Sequence, residues 1–354
     1  MASIDPKFGE DLKNYGAVNF NACYNCGTCT AVCSLSTPED SFPREMVRLS
    51  VLGLEGDLKS SLKPWLCYYC GECTTNCPQT ANPGELMMSL RRWLTSKYDW
   101  TGFSGLLYKS LSVSIIAFVL TAIGVIAFAA SESFDLEKIM HFGHYFEMIA
   151  IATVFTFILF PNIVRMWYFV ILKPGIKVPF LTYLKSSWDF IVHMFTQKRS
   201  LGCDDNQFRW FEHLILVAGY LLLLFTTVFL DWFSTQNIFI IVLGYIESAI
   251  IFVVTIDFVK SRIVKNKEIS KFSQPSDWFF VIWLLLLGFT ALITRGFIDL
   301  GIIENNSWIY LIHLTVLVQW ALIIVPFGKW THFLYRSFAM YFAKLKEVSA
   351  KQAI

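Results

Sequence analysis

Charged side chains are scarce in this chain. Asp, Glu, Lys and Arg make up 16% of the 354 residues, whereas an average soluble domain has about 25%. The two signs nearly balance, with a formal net charge of +2, so the basic excess that binds nucleic acid is missing. Glycine-rich phosphate-binding motifs are missing too, since neither a Walker nor a dinucleotide-binding pattern occurs. These absences exclude nucleic-acid binding and nucleotide chemistry as functions of this chain.

Apolar residues make up 55% of the sequence, and 17% of all residues are aromatic. Six stretches of about 20 residues carry few charges and are long enough to cross a hydrocarbon core of about 30 Å. They lie at 110–131, 146–171, 211–230, 238–259, 278–298 and 307–328. One such run alone is compatible with a buried helix of a soluble protein. Six in succession, several ending in Trp or Tyr, predict an all-α transmembrane bundle.

Eight of the nine cysteines form two runs ahead of the first predicted span. Each run has the spacing C-x2-C-x2-C-x3-C, in which three cysteines on one tight loop hold three corners of a [4Fe–4S] cube. The fourth corner needs a more distant thiolate, and in two-cluster ferredoxins each run supplies it to the other. The predicted ligand sets are Cys23, Cys26, Cys29 and Cys77 for one cluster, and Cys67, Cys70, Cys73 and Cys33 for the other.

Zinc and disulfides are the alternatives for these cysteines. Zinc sites usually pair cysteines two by two, and this repeated run fits them poorly. Disulfides need an oxidising compartment, but residues 1–20 are polar and charged and lack the pattern of a secretory signal. The ninth cysteine, Cys203, stands alone in a polar stretch and is interpreted as a loop thiol.

The chain divides into three predicted parts. They are a mostly helical two-cluster domain at 1–105, the six-span bundle at 106–335, and a cytoplasmic tail at 336–354. Within the first part, 84–100 is predicted to be an amphipathic helix that lies either at the headgroup surface or against its own domain. After the second span, 180–195 is predicted to be an interfacial or partner-facing helix.

Basic residues in the loops predict the orientation, because Lys and Arg are retained on the cytoplasmic side. Loops 172–209 and 260–271 carry six and five of them, whereas the alternate loops have Lys138 as their only base. Both termini are therefore predicted to be cytoplasmic, in an inner membrane. The cluster domain then lies in the reducing compartment, where thiolates stay free to bind iron.

Most of the histidines lie near predicted spans, where an ionisable side chain is costly and therefore points to function. Axial ligation of haem is the expected use. His213, at the start of the third span, and His332, at the end of the sixth, both fall at the cytoplasmic end and are predicted to hold one haem b.

A second haem b near the outer face is also predicted, but its ligands are harder to assign. His313 precedes His332 by 19 residues, about 28 Å along an ideal helix, so the two cannot share one iron. His144, at the outer start of the second span, is the candidate partner of His313. Interfacial histidines that bond to loops are the alternative, and His141 and His193 are interpreted in that way.

Two carboxylates in the spans are candidate proton acceptors of a quinone site, because buried carboxylates are expensive unless they are paired or used. Glu147 lies close to His144, and Glu247 lies near the middle of the fourth span. Arg295, near the outer end of the fifth span, is predicted to neutralise a haem propionate or one of these carboxylates. Salt-bridged packing is the alternative for all three.

Two parts of the sequence resemble known families. The stretch 313–332, with Pro326-Phe327-Gly328-Lys329 ahead of the last histidine, resembles the final helix of the cytochrome b subunit of respiratory nitrate reductase. His213 matches the first histidine of the second helix in that family. Leu223 replaces the other histidine there, which puts the outer haem in doubt.

The first hundred residues resemble the small iron–sulfur subunit of heterodisulfide reductase, through the stretch 43–48 between the cysteine runs and Trp65 before the second run. A chain that joins both parts resembles the membrane component of quinone-interacting membrane-bound oxidoreductase (Qmo) complexes. That resemblance implies a path from menaquinol through haem b and two [4Fe–4S] clusters. It also implies soluble flavin and iron–sulfur partner subunits, and adenylylsulfate reductase in sulfate reduction.

Three functions remain open from the sequence. The first is a quinone-reactive electron-transfer subunit, which is an oxidoreductase only together with its partners. The second is a redox membrane anchor without a quinone site of its own. The third is a membrane module of heterodisulfide reductase type, although this chain has no adjacent Cys-Cys pair of the kind that the disulfide-reducing subunit uses.

Overall fold

The computed structural model describes residues 4–197, 207–265 and 268–352. Every regular element in those three ranges is helical, so the all-α prediction is confirmed. Cys203, interpreted above as a loop thiol, lies outside the described residues.

Eight α-helices precede the first span in the described part of the chain. They are α1 Phe8–Asn14, α2 Thr28–Ala31, α3 Arg44–Val51, α4 Glu55–Ser60, α5 Lys63–Leu66, α6 Glu72–Thr75, α7 Pro83–Tyr98 and α8 Phe103–Lys109. The helix α7 is the centre of this domain, since nearly all its residues from Pro83 to Leu94 are buried. Of the two interpretations of 84–100, packing inside its own domain is therefore the one that the structure supports.

Six helices are long and apolar enough to cross a membrane, as the sequence predicts. They are Leu111–Ser131, Leu136–Leu172, Gln207–Leu230, Ile238–Val264, Pro275–Asp299 and Glu304–Phe327, called here the first to sixth spans. The fourth span packs against both the third and the fifth, and the sixth packs against the first and the fifth. Trp320 and Leu284 belong to the apolar core that these contacts enclose.

The second span is longer than predicted. Its 37 residues extend for about 55 Å, well beyond a hydrocarbon core of about 30 Å. His141 and His144 therefore lie inside this helix rather than ahead of it. At its other end, Met166, Val170 and Ile171 are buried in the core of the cluster domain. Packing against that domain explains why the helix continues past the apolar stretch.

The sixth span ends at Phe327, within one residue of the predicted end. Its last turns widen into a π-helix over Trp320–Ile324, ahead of Pro326, which lacks an amide hydrogen. The backbone is extended at Gly328, where a Cβ would lie 2.8 Å from the carbonyl oxygen of Ile324. The prediction that His332 closes the sixth span is thus wrong, because His332 begins a new helix after this break.

That C-terminal helix, His332–Gln352, includes residues 336–352 of the segment that was expected to be a tail. It is not a free tail, since Tyr335, Ala339, Phe342 and Leu345 are buried at helical spacing in the core of the cluster domain. The ring of Tyr335 lies 5.3 Å from that of Trp65. The cluster domain and the C-terminal helix therefore share one core and lie at the same end of the bundle.

The loop helix Phe180–Thr196 packs one face on the C-terminal helix. The rings of Phe190 and Phe338 lie 4.8 Å apart, and the Tyr341 hydroxyl donates a 2.8 Å hydrogen bond to the Tyr183 carbonyl. The opposite face is apolar and exposed at Leu181, Leu184, Trp188 and Phe195. An amphipathic helix of this kind suits a membrane surface or a partner, and its interfacial role stays a prediction.

Candidate redox centres

The two cysteine runs fold into loops of the same backbone shape. Gly27 and Gly71 occupy equivalent positions with φ of 90° and 94°, which favour glycine. Each glycine starts a single helical turn, α2 in the first run and α6 in the second. Cys29 lies in the first of these turns and Cys73 in the second, and both side chains are buried.

Backbone amides approach the sulfurs in both loops. The amide of Asn25 lies 3.4 Å from Sγ of Cys23, and the amide of Tyr69 lies 3.3 Å from Sγ of Cys67. Such amides stabilise thiolate sulfur and tune the potential of a cluster bound to it. The repeated geometry means that both loops offer the same kind of ligand environment.

The thiols that lie near Cys29 come from both cysteine runs. Burial raises the pKa of Cys29, and Cys23, Cys26 and Cys77 raise it further. These four residues are the first predicted ligand set, drawn from both runs.

The second predicted set is grouped in the same way. Burial raises the pKa of Cys33, and the nearby Cys67 and Cys70 add to the shift. Cys33 also lines a cavity of about 390 Å³ of empty space together with Cys67, Cys70 and Cys73. The structure thus brings Cys33 to the second loop, as the crossed arrangement requires.

In the described ranges, no three His, Cys, Asp or Glu side chains gather closely enough to hold a single metal ion. A [4Fe–4S] cube spreads its four cysteine sulfurs apart, because each sulfur binds a different iron. Two wider groups of four cysteines therefore fit two cubes. The exposure of the sets differs, since Cys26 is exposed while Cys67 and Cys73 are buried.

His213 and His332 face each other although they come from different helices. Their ring centroids are 6.3 Å apart. Two imidazoles bound to opposite sides of one metal, each at about 2 Å, place their centroids about 6 Å apart. The Nδ1 atom of His332 contacts the carbonyl oxygen of Lys329, so Nε2 is the ring nitrogen left for a ligand. The pair therefore fits axial ligation of a haem.

Both histidines line a cavity of about 1180 Å³ of empty space, here called the cluster-side cavity. Apolar and aromatic side chains such as Leu216 and Phe280 cover most of it. Charged groups line it as well, namely the bases Arg209, Arg262 and Lys329 and the acids Glu212 and Asp257. An apolar slot with cations is the environment that a tetrapyrrole with two propionates needs.

Two further cavities lie deeper in the bundle and share several lining residues. The central cavity has about 800 Å³ of empty space and is almost wholly apolar, with Glu147 and His313 among its few polar groups. The far cavity, of about 330 Å³, is lined by the same two residues together with His144 and Asp231. It lies at the end of the bundle opposite the clusters.

The structure does not arrange His144 and His313 like the first histidine pair. Within the described residues, no ring contact joins them. His313 Nδ1 lies 2.8 Å from the hydroxyl oxygen of Thr290, and His144 Nδ1 lies 3.7 Å from a carboxylate oxygen of Asp231. Leu223 lines the central cavity where a further histidine was sought. The second haem stays a prediction.

Glu247 and Arg295 are both buried away from these three cavities. Glu247 accepts a 2.8 Å hydrogen bond from Thr226, while its other carboxylate oxygen has no partner in the described structure. Arg295 lies 2.8 Å from Asp299 and donates to the carbonyls of Trp232 and Thr235. These contacts fit the alternative of salt-bridged packing, and they connect Arg295 to the loop between the third and fourth spans.

A buried chain of polar contacts, not anticipated from the sequence, connects the second cysteine loop to the bundle. The Tyr69 hydroxyl donates to Glu85 at 2.8 Å, and Glu85 lies 3.0 Å from Arg92. Arg92 reaches Asp277 of the fifth span at 2.9 Å, and Asp277 pairs with Lys329 at 2.6 Å. The sequence feature that pointed to these contacts is the pair of charged residues Glu85 and Arg92 on the buried face of α7. It does not identify the residues that pair with them. We call this chain the ionic bridge.

Comparison with known proteins supports the cluster domain. The 4Fe-4S dicluster domain family matches residues 21–82. A protein of Archaeoglobus profundus that is named as similar to the C component of heterodisulfide reductase is 29% identical over 96 residues, which cover 27% of this chain and 51% of that protein. The C component of the H(2):CoB-CoM heterodisulfide,ferredoxin reductase of Methanothermobacter thermautotrophicus is 31% identical over 77 residues, covering 22% and 42%.

A third relative is the second C-type iron–sulfur component of the CoB--CoM heterodisulfide reductase of Methanocaldococcus jannaschii. It is 33% identical over 89 residues, which cover 25% of this chain and 45% of that protein. The chain thus spans about half the length or less of the curated relatives it matches. No solved structure matches. The similarity establishes an iron–sulfur domain related to these reductase components.

Proposed function

We propose that this chain is a membrane electron-transfer subunit of a respiratory oxidoreductase. It passes electrons between the menaquinone pool, a haem b and two [4Fe–4S] clusters, and on to cytoplasmic partner subunits. The observation that carries the proposal is the His213–His332 pair, 6.3 Å apart in a cavity at the cluster-domain end of the bundle. The ionic bridge joins that end to the second cysteine loop.

The proposal assigns ligands to each group. His213 and His332 hold the haem, and the two crossed sets of four cysteines named above hold the clusters. When bound, these groups supply one-electron carriers. The second cysteine loop is connected to the bundle through Tyr69 and the ionic bridge, whereas Cys26 of the other set is exposed and open to a partner. Exposure therefore favours an order from bundle to surface.

The chain's own residues handle the protons of the quinone reaction. Oxidation of a quinol releases two protons and two electrons, so the site needs a proton acceptor as well as an electron carrier. Glu147 is the proposed acceptor, because it lines an apolar cavity inside the bundle, whereas Glu247 does not line it. Three aromatic residues line both the central and the cluster-side cavities, namely Tyr220, Trp320 and Trp330. They separate the proposed quinone site from the proposed haem site.

The location proposed is the inner membrane, with both termini in the cytoplasm. The shared core of the cluster domain and the C-terminal helix supports a common side for the two ends. Loops 172–209 and 260–271, rich in Lys and Arg, support the cytoplasm as that side.

The proposed partners are soluble flavin and iron–sulfur subunits of heterodisulfide reductase type. The similarity of residues 21–82 to the dicluster domain family, and of the N-terminal part to the heterodisulfide reductase components, favours them. Adenylylsulfate reductase as the final partner rests on the resemblance to Qmo complexes. A heterodisulfide-reductase module is the second candidate, supported by the same relatives. Purification of the tagged chain from its native membrane, followed by identification of bound subunits, separates these partners.

Haem ligation is tested by pyridine-haemochrome assay of His213→Ala and His332→Ala. Each variant is expected to lose the haem that depends on this pair and to keep its iron–sulfur absorbance. His193→Ala, in the loop helix, is the matched control and is expected to retain the haem. Retention of the full haem content in both ligand variants would contradict the assignment.

A further inference from the structure

The central cavity is an apolar space in which two polar side chains stand out. It has about 800 Å³ of empty space. Aromatic and aliphatic side chains cover its walls, among them Phe146, Leu223 and Phe233. The polar groups of His313 and Glu147 are therefore the features that decide what it binds.

Hydrogen bonding fixes which nitrogen of His313 carries the proton. The Thr290 hydroxyl has one proton, and it lies 2.7 Å from the carbonyl oxygen of Leu286, which can only accept. The same hydroxyl oxygen is 2.8 Å from His313 Nδ1, so it accepts a hydrogen bond from Nδ1–H. In the neutral ring the other nitrogen, Nε2, then has a lone pair and accepts.

Glu147 offers a second acceptor. Its side chain lines both the central and the far cavity, and no donor among the described residues hydrogen-bonds to it. An ionised carboxylate only accepts hydrogen bonds, and burial in a bilayer without a donor favours the protonated form. A ligand that brings a hydroxyl to Glu147 stabilises the ionised form.

A quinol meets both requirements, and a quinone does not. The hydroxyls of a quinol donate hydrogen bonds, whereas the carbonyls of a quinone accept them and cannot pair with the lone pair on Nε2 of His313. We propose that the central cavity is a quinol-binding site in which one hydroxyl donates to Nε2 of His313 and the other to Glu147. This inference rests on the proposed function and deepens it, because it names the redox form that the site selects.

The far cavity gives this site a polar connection to the opposite end of the bundle. It continues from His313 and Glu147 to His144, Asp231 and Ser234. Asp231 is 46% exposed, so the connection ends near solvent. Leu223 also fits this assignment, since an aliphatic side chain forms part of an apolar wall for a quinol ring.

The test is a binding titration on the purified full chain in detergent. The fluorescent quinol analogue 2-heptyl-4-hydroxyquinoline N-oxide is bound first. It is then displaced by menadiol from dithionite-reduced protein and by menadione from oxidised protein. We expect menadiol to bind at least about tenfold more tightly than menadione, the equivalent of one hydrogen bond. Glu147→Gln is expected to weaken menadiol binding by about the same factor.

Thr290→Val is the decisive variant, because it removes the acceptor for Nδ1–H but keeps the side-chain volume. His313 is then free to present either nitrogen, so the preference for menadiol over menadione is expected to fall. A purely structural role of Thr290 would change both affinities together and leave their ratio constant. Glu247→Gln is the companion variant and tests the other carboxylate of the spans.

Several results would overturn the inference. Two haems per chain, one of which is lost in His313→Asn, would show that the cavity holds a haem. Equal binding of menadiol and menadione, or no effect of Glu147→Gln and Thr290→Val, would place the quinol elsewhere. If menadiol still reduced haem b in that case, the proposed function would stand. A chain without haem would instead remove the proposed function itself.

Discussion

Arg92 and Asp277 lie 2.9 Å apart in the folded protein although 185 residues separate them in sequence. Arg92 belongs to the cluster domain and Asp277 to the fifth span, so this contact joins the two parts of the molecule. Both side chains are almost fully buried, and each has a second charged partner, Glu85 for Arg92 and Lys329 for Asp277. Two positive and two negative groups thus compensate one another, with Lys329 the most exposed of the four.

Loss of this pair is expected to loosen the cluster domain from the bundle. Removal of one partner of a buried ion pair typically costs about 3–5 kcal/mol, because the other charge remains buried without compensation. Arg92→Ala and Asp277→Asn should therefore lower the free energy of unfolding by that amount in denaturant titrations. The exposed pair of Lys138 and Glu132 supplies the control, since Glu132→Gln should cost no more than about 1 kcal/mol. Equal effects of the buried and exposed variants would contradict this role.

The crossed assignment of the cysteines predicts a pattern in double variants. The whole chain should contain about eight non-haem irons, as two cubes require. Cys33→Ser with Cys70→Ser removes two ligands of one proposed set and should leave about four irons. Cys33→Ser with Cys26→Ser affects both sets and should leave few. Iron assay and electron paramagnetic resonance measure this, with Cys203→Ser as the control. The reverse pattern would mean that each run holds its own cluster.

Gly84 is expected to be intolerant of a side chain. A Cβ there would lie 2.8 Å from the hydroxyl oxygen of Thr74 and 3.7 Å from Sγ of Cys73. Gly84→Ala should cost about 1–3 kcal/mol through overpacking and should disturb the spectrum of the second cluster. Gly56→Ala in α4 is the matched control, since no heavy atom lies within 4 Å of its Cβ position. That variant should be neutral or slightly stabilising. A harmless Gly84→Ala would show that this contact is easily relieved.

The C-terminal helix is expected to be necessary for the cluster domain. Phe342 is buried in the core shared with α7, so Phe342→Ala should cost about 3–5 kcal/mol. Lys351→Ala, at an exposed position of the same helix, should change stability by less than about 0.5 kcal/mol. Thermal unfolding followed through the iron–sulfur absorbance compares the two. If Phe342→Ala behaved like Lys351→Ala, the helix would be dispensable for this domain.

Local sequence patterns were sufficient for the fold class and for the six spans. Apolar runs of about 20 residues identify spans because burial in lipid depends on composition along a single helix. The cysteine spacing identifies the cluster loops for a similar reason, since each loop is one short segment. The match to the dicluster domain family at 21–82 and the six apolar helices confirm these features.

Those local patterns did not predict the packing between segments that are distant in sequence. The extra length of the second span comes from Met166 and Ile171, which pack on a domain that precedes them in sequence by more than 60 residues. The burial of Phe342 and the Arg92–Asp277 contact are of the same kind. Hydrophobic periodicity reveals that a face is buried, but it does not say which partner covers it.

The most direct test of the proposed function is an anaerobic optical titration of the purified chain with menadiol, combined with haem and iron assays. The account predicts a haem b that menadiol reduces, together with about eight non-haem irons per chain. It also predicts that His332→Ala abolishes the haem signal while the irons remain. Haem and clusters that fail to respond to menadiol would contradict the quinone-reactive role and favour a passive anchor. Absence of haem would contradict the assignment of His213 and His332.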